Sequence, residues 1–158
     1  SWYGRGPQES YWDRKSGAAV GVYSGSVDEQ IHQYVRPQEN GNKTDVRWAA
    51  LTNKNGVGLL IVGMPLLYVS AWPYTMQDLE NARHINELPH RNTITVNIDY
   101  KQMGVGGDDG WTENARPHPE YRLPAKPYSY CFRLRALTDK EKSIIELSKQ
   151  SLPVVKSE

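Results

Sequence analysis

Two runs of strand length, "TDVRWAALTN" (44–53) and "VGLLIVGM" (57–64), face each other across "KNG" (54–56). A turn of this kind between β-rich segments brings them back as a hairpin, and a hairpin sets up an antiparallel sheet. The second run has no polar alternation, so it is expected to be buried on both faces. Pro65 interrupts it, and "LLYVSAW" (66–72) resumes as a further strand segment. "AAVGVYSGS" (18–26), "TITVNIDYKQM" (93–103) and "YSYCFRLRAL" (128–137) add strands, with Ile94, Val96 and Ile98 on one face of the middle one. Strands at this spacing with few helices predict an all-β fold, an antiparallel β-sandwich with one or two short helices.

The helices are placed by their ends. Thr75 followed by Asp78 is a capping pattern opening "MQDLENARHINEL", which Pro89 closes. In "LTDKEKSIIELSKQSL", Thr138 or Asp139 is the expected cap, Ile144, Ile145 and Leu147 the apolar stripe, and Pro153 the stop. The final "VVKSE" is expected to fray.

The 158 residues are enough for one domain with a real core. A formal net charge of +1 gives no field that would recruit nucleic acid or an anionic membrane. No apolar run approaches the length of a membrane span. The opening "SWYGRGPQES" has no basic region followed by an apolar one, so no signal peptide is visible. Its abrupt start at Trp2 and Tyr3 reads like the middle of a domain, and a piece of a longer polypeptide is expected. The single Cys131 excludes an internal disulfide and is expected to be an inert packed thiol. Ten Tyr and five Trp stand against one Phe, a balance suited to polar ligand surfaces as well as to sheets.

The chemistry concentrates in "QMGVGGDDGW" (102–111). Gly104, Gly106 and Gly107 do not make a dinucleotide loop, because no helix follows them and Asp108 and Asp109 would repel a phosphate. A calcium loop would need six to eight oxygens, and the spacing here matches no EF-hand. An aspartate ordering the turn through backbone N–H groups is the simpler reading. A sugar platform is the third candidate. Trp111 offers a flat apolar face, the glycines permit close backbone approach, and Asp108 and Asp109 can accept hydroxyl hydrogen bonds. Pattern alone leaves this open against a core role for Trp111. The proline-rich "GWTENARPHPEYRLPAKP" that begins here is a connection of the length that is usually functional or disordered. His32, His84, His90 and His118 lie at unrelated positions, with no H-E-x-x-H and no G-x-S-x-G.

Several long motifs in order, "YGRGPQESYWDRKSG", "VDEQ", "YVRPQENGNKTDVRWAAL", "NIDYKQMGVGGDDGW" and "PHPEYRLPAKPYSYCFRLR", closely resemble the C-terminal small domain of lac-type β-galactosidases of glycoside hydrolase family 2. The resemblance covers about residues 3–137. It implies part of a galactose-mutarotase-like supersandwich within a large retaining enzyme that hydrolyses terminal β-D-galactosides such as lactose. It implies that both catalytic glutamates lie in a (β/α)8 barrel outside this chain, so no catalytic residue is assigned here and the chain alone is expected to be inactive. It makes Trp111 the residue that stacks on sugar at the mouth of the active site, with Asp108 and Asp109 beside it. The family's Mg and Na are held by other domains, so no cofactor or metal is expected in this chain. The implied partners are a galactoside, the barrel domain and further copies of the enzyme as a homo-oligomer. A cytoplasmic enzyme is expected, with the periplasm as the alternative. Residues 1–137 are read as the small-domain piece and 138–158 as a helical tail. A free-standing carbohydrate-binding or aldose-1-epimerase-like module is the alternative function.

Overall fold

The computed structural model describes residues 1–141 and 143–151. Among these residues six strands form one antiparallel sheet: β1 (Trp2–Gly6), β2 (Ala19–Tyr23), β3 (Lys43–Thr52), β4 (Gly58–Trp72), β5 (Thr95–Asp99) and β6 (Cys131–Leu137). The order is β2-β1-β3-β4-β5, and β6 also pairs with β4. The class is the all-β antiparallel sandwich expected from the sequence, with two short helices, α1 (Met76–Asn81) and α2 (Ile144–Lys149).

The "KNG" turn forms as expected. Gly56 takes a left-handed φ of 81°, and Asn53 Oδ1 accepts the N–H groups of Asn55 and Val57. Beyond it, Leu60 and Ile61 are consecutive and both fully buried, which confirms burial on both faces of the strand. Ile61 joins Trp2, Val46, Ala49, Leu67 and Val69 on one face, while Leu60 joins Trp48, Ala50, Leu137 and Leu147 on the other. Val96 and Ile98 pack against the first cluster, as their alternation predicted.

Pro65 does not end a strand. β4 runs through it, bulged, so that Trp48 pairs with Val62 but Val46 pairs with Leu67. Arg47 on β3 is therefore opposed by residues 63–66 on β4. Pro65 sits where neither β3, β5 nor β6 asks it for an N–H, so its missing donor costs nothing. A second irregularity lies beside it in β3, between Lys43 and Val46. There Asp45 adopts a φ of 52° and its carboxylate meets Arg5 Nε at 2.7 Å and Lys15 Nζ at 3.1 Å. Arg5 also donates to the carbonyls of Lys15 and Ala18, which ties the loop between β1 and β2 to the sheet.

The helices are shorter than expected. Thr75 and Asp78 form the capping box foreseen. The helix stops at Asn81, however, and a separate 3-10 turn follows at Ile85–Glu87. The Glu87 carboxylate accepts the Arg83 N–H at 2.8 Å and meets His84 Nδ1 at 3.1 Å, a local alternative to helical bonding, and Leu79 is the buried residue of α1. At the C-terminal end, the cap is Ser143, which accepts from the Glu146 N–H, rather than Thr138 or Asp139. Residues 138–141 instead make a turn closed by Glu141 N–H on the Thr138 carbonyl. Leu147 seats α2 on the sheet, and the Arg133 guanidinium on β6 binds the carbonyls of Leu147, Ser148 and Gln150 at the helix end. Pro153 and the "VVKSE" tail lie outside the described residues. Cys131 is exposed rather than packed, because β6 begins at the sheet edge with both of its first residues open to solvent.

Leu60→Ala removes a fully buried side chain facing the cluster that holds α2. It is expected to lower the unfolding free energy by about 2–5 kcal/mol, measured by chemical denaturation.

Candidate functional site

β5 and β6 lie end to end along one edge of β4. Asp99 pairs with Tyr68 and Cys131 pairs with Met64. They are two parts of one interrupted edge, separated along β4 by about 13 Å at the usual strand rise. Residues 100–130 leave the sheet in that gap, opposite the Pro65 bulge, and return to it. This excursion contains the glycine–aspartate stretch and Trp111.

The loop has little regular structure, a pair of 3-10 turns at Glu113–Ala115 and Pro119–Tyr121, so its backbone needs other partners. The Asp109 carboxylate accepts the N–H groups of Trp111 and Thr112, each at 2.9 Å, and the Thr112 hydroxyl at 2.5 Å. These bonds favour its ionised form and hold its carboxyl below the usual range. Asp109 is thus the turn-ordering aspartate that the sequence offered as the alternative to a calcium ligand. Gly107 sits at a crossing where a Cβ would lie 2.0 Å from the Asn114 carbonyl oxygen, so only glycine fits. Next to it, the Asp108 N–H donates to that same carbonyl at 2.8 Å.

Asp108 Oδ1 lies 2.7 Å from His118 Nε2, closing the loop across its neck. The hydrogen bond and charge of Asp108 raise the His118 pKa above the usual histidine value. Deeper in, the glycine stretch rests on residues from the β1–β2 connection. The Asp13 carboxylate accepts the N–H of Val105 at 3.1 Å and that of Gly106 at 3.2 Å. Trp12 meets Tyr121 edge to face with centroids 5.8 Å apart, and Lys101 Nζ lies 3.6 Å from the centre of the Trp12 ring.

Within this framework Trp111 is 97% exposed. It is not a core residue, which removes the alternative that the sequence left open. The structure brings Asp108, Asp109 and Trp111 together, but gives the aspartates different surroundings: Asp109 is engaged with the turn, while Asp108 shares one oxygen with His118 and is largely exposed. Asp13 and His118 were not singled out by the sequence reading. Asp13 is far away in the chain, and His118 is one of four histidines without a motif. Among the described residues no group of three or more His, Cys, Asp or Glu side chains stands together as a possible metal site. Nor is any helix among them long and apolar enough to cross a membrane.

The architecture is therefore an antiparallel β domain that presents a bare indole on a loop braced by hydrogen bonds. The comparison with known proteins is specific. Residues 1–134 match the family model described as the β-galactosidase small chain. A β-galactosidase of Priestia megaterium is 52% identical over 87% of this chain, and one of Halalkalibacterium halodurans is 42% identical over 78%. A Vibrio cholerae β-galactosidase is 41% identical over 85% of the chain. The chain belongs to the β-galactosidase small-chain family. It spans 12–13% of the length of these relatives.

The His118–Asp108 pair has a defined sign with pH. A raised histidine pKa means that the pair stabilises the loop below the ordinary histidine pKa and that this contribution is lost as pH rises through the raised value. The His118 ring, followed by NMR, is expected to titrate above an unstructured histidine, and Asp108→Asn to bring it back down.

Proposed function

We propose that this chain is the C-terminal small domain of a retaining β-galactosidase acting on terminal β-D-galactosides such as lactose, and that Trp111 binds sugar at the mouth of the active site. The observation that carries the reading is the nearly complete exposure of Trp111 on a loop whose backbone is hydrogen-bonded by two carboxylates, Asp13 and Asp109, while a third, Asp108, meets the His118 ring. An aromatic face left in water at a fixed position is available to the C–H face of a pyranose. Asp108 retains an oxygen for a sugar hydroxyl, and Asp109 holds the turn that presents the indole. Residues 1–137 form the small-domain portion and 138–158 the tail. On this reading the chain is part of a larger galactose-mutarotase-like supersandwich.

The retaining reaction needs two carboxylates about 5 Å apart. We assign both to a barrel domain outside this chain, and the family's magnesium and sodium to other domains as well. An open apolar groove of about 560 Å³ supports a large protein partner: Trp2, Ala49, Leu51, Leu59, Ile94 and Val96 line it on one face of the sheet. The rest of the enzyme covers this face, within a cytoplasmic homo-oligomer.

Trp111→Ala in the whole enzyme is expected to raise KM for a galactoside about tenfold, since one aromatic face is worth roughly 1–2 kcal/mol, by analogy with other aromatic contacts. Stability of the chain should change by less than about 0.5 kcal/mol, as for other exposed positions. A loss of several kcal/mol in denaturant unfolding would contradict the reading. The purified chain by itself is expected to leave a chromogenic β-galactoside intact, and turnover in that assay would refute the assignment of the glutamates elsewhere.

A further inference from the structure

The Trp111 loop leaves the sheet, and none of its residues belongs to the apolar core clusters. Val105 is 53% exposed, and Gly110 has nothing within reach of an added Cβ. Among the contacts at the base of the loop, one side chain reaches it from 92 residues earlier. Both Asp13 oxygens lie near the Val105 N–H, at 3.2 and 3.1 Å, and Oδ2 also takes the Gly106 N–H at 3.2 Å. Two consecutive backbone donors converge on one carboxylate, an arrangement in which each hydrogen bond is strengthened by the charge.

The neighbours are shaped to this contact. A Cβ on Gly104 would lie 3.0 Å from Asp13 Cγ and 2.9 Å from Tyr121 Cβ, so the absent side chain is what lets the carboxylate reach the backbone. The Gly104 N–H is meanwhile bound to the Tyr121 carbonyl at 2.8 Å, and Tyr121 packs on Trp12, the residue before Asp13. The segment carrying Asp13 is itself tied down. Ser10 exchanges backbone and side-chain bonds with Asn42 and Thr44 at the start of β3, and Arg14 N–H closes a turn on the Tyr11 carbonyl.

The geometry points to Asp13 as a positioning residue: it anchors the base of the loop and so sets where Trp111 stands, without touching the ligand. This role rests on the sugar reading of Trp111 for its kinetic consequence, but not for its structural one. Asp13→Asn keeps the shape but removes the negative charge that strengthens both bonds, and it puts an NH2, a donor, where the second oxygen lies 3.2 Å from the Val105 N–H.

The test compares Asp13→Asn with the unaltered protein in two measurements. In the chain, hydrogen exchange at the Val105 and Gly106 amides is expected to accelerate about tenfold or more, as for loss of a charge-assisted bond at a locally opening site. Exchange in β3 and β4 should stay unchanged, which controls for folding. In the whole enzyme, Asp13→Asn is expected to raise KM for a galactoside about three- to tenfold with little change in kcat, and to add nothing in a Trp111→Ala background, as coupled residues do in a double-mutant cycle. Unchanged exchange at the two amides overturns the anchoring role. So does a KM effect that persists at full size without Trp111. If Trp111→Ala is itself without effect on KM, it is the sugar reading that fails, and accelerated exchange still upholds the anchor.

Discussion

β4 has to serve three partners at once. β3 pairs with it on one edge from Gly58 to Val69, interrupted by the bulge, while β5 and β6 divide the other edge between them. A regular strand of 15 residues would offer an uninterrupted ladder, and an edge strand pairing with it would have no reason to leave. The bulge around Pro65 removes that regularity at one point. It is there that the chain steps out of the sheet after Asp99 and comes back at Cys131. The placement of the candidate site follows from this break: the loop is held at both ends by strands whose register on β4 is fixed by the buried Leu60, Ile61, Leu67 and Val69. Rigid ends bring a long loop back to the same place, but they do not order its middle.

The middle is ordered by carboxylates instead of by apolar packing. Asp13 holds the glycines, Asp109 holds the turn at the indole, and Asp108 reaches across to His118. Each satisfies backbone or imidazole groups that would otherwise turn to water, and none covers the Trp111 ring. An apolar clasp would have achieved similar order by burying the very surface the loop exposes. The glycines are part of the same solution. Gly104 admits Asp13 and Gly107 admits the crossing chain, so the stretch that looks flexible in sequence is tightly approached in space. A sensitivity to pH enters at the neck, where Asp108 favours the protonated form of His118.

Much of the sheet was legible because its cues are local. The Asn53–Gly56 turn chemistry, the apolar run at Leu60 and Ile61, the alternation through Val96 and Ile98, and the Thr75–Asp78 box all depend on residues close in sequence. The failures have non-local causes. β1 carries glycines in place of an apolar alternation and is a strand because β2 and β3 flank it. Pro65 reads as a breaker until the bulge takes away the need for its N–H. Cys131 sits in an alternating run but at the open start of an edge strand. Of the site, Trp111 and its aspartates could be found from the odd composition around them. Asp13 could not, since nothing in "YWDRKSG" indicates the distant backbone that it binds.

The energetics limit what such a loop can do by itself. One aromatic face contributes roughly 1–2 kcal/mol, whereas even millimolar binding at the standard state needs about 4 kcal/mol. One exposed indole therefore cannot by itself capture a sugar from dilute solution, however well its backbone is fixed. It can only tilt a binding event whose larger part is supplied from another side, and for that its position matters more than its affinity. A displacement of an ångström or so would forfeit much of a contact that depends on close stacking. On the proposed sugar role, the bonding along the loop, from Asp13 at the glycines to Asp109 at the turn, is intelligible on those terms, because it fixes the location of one ring.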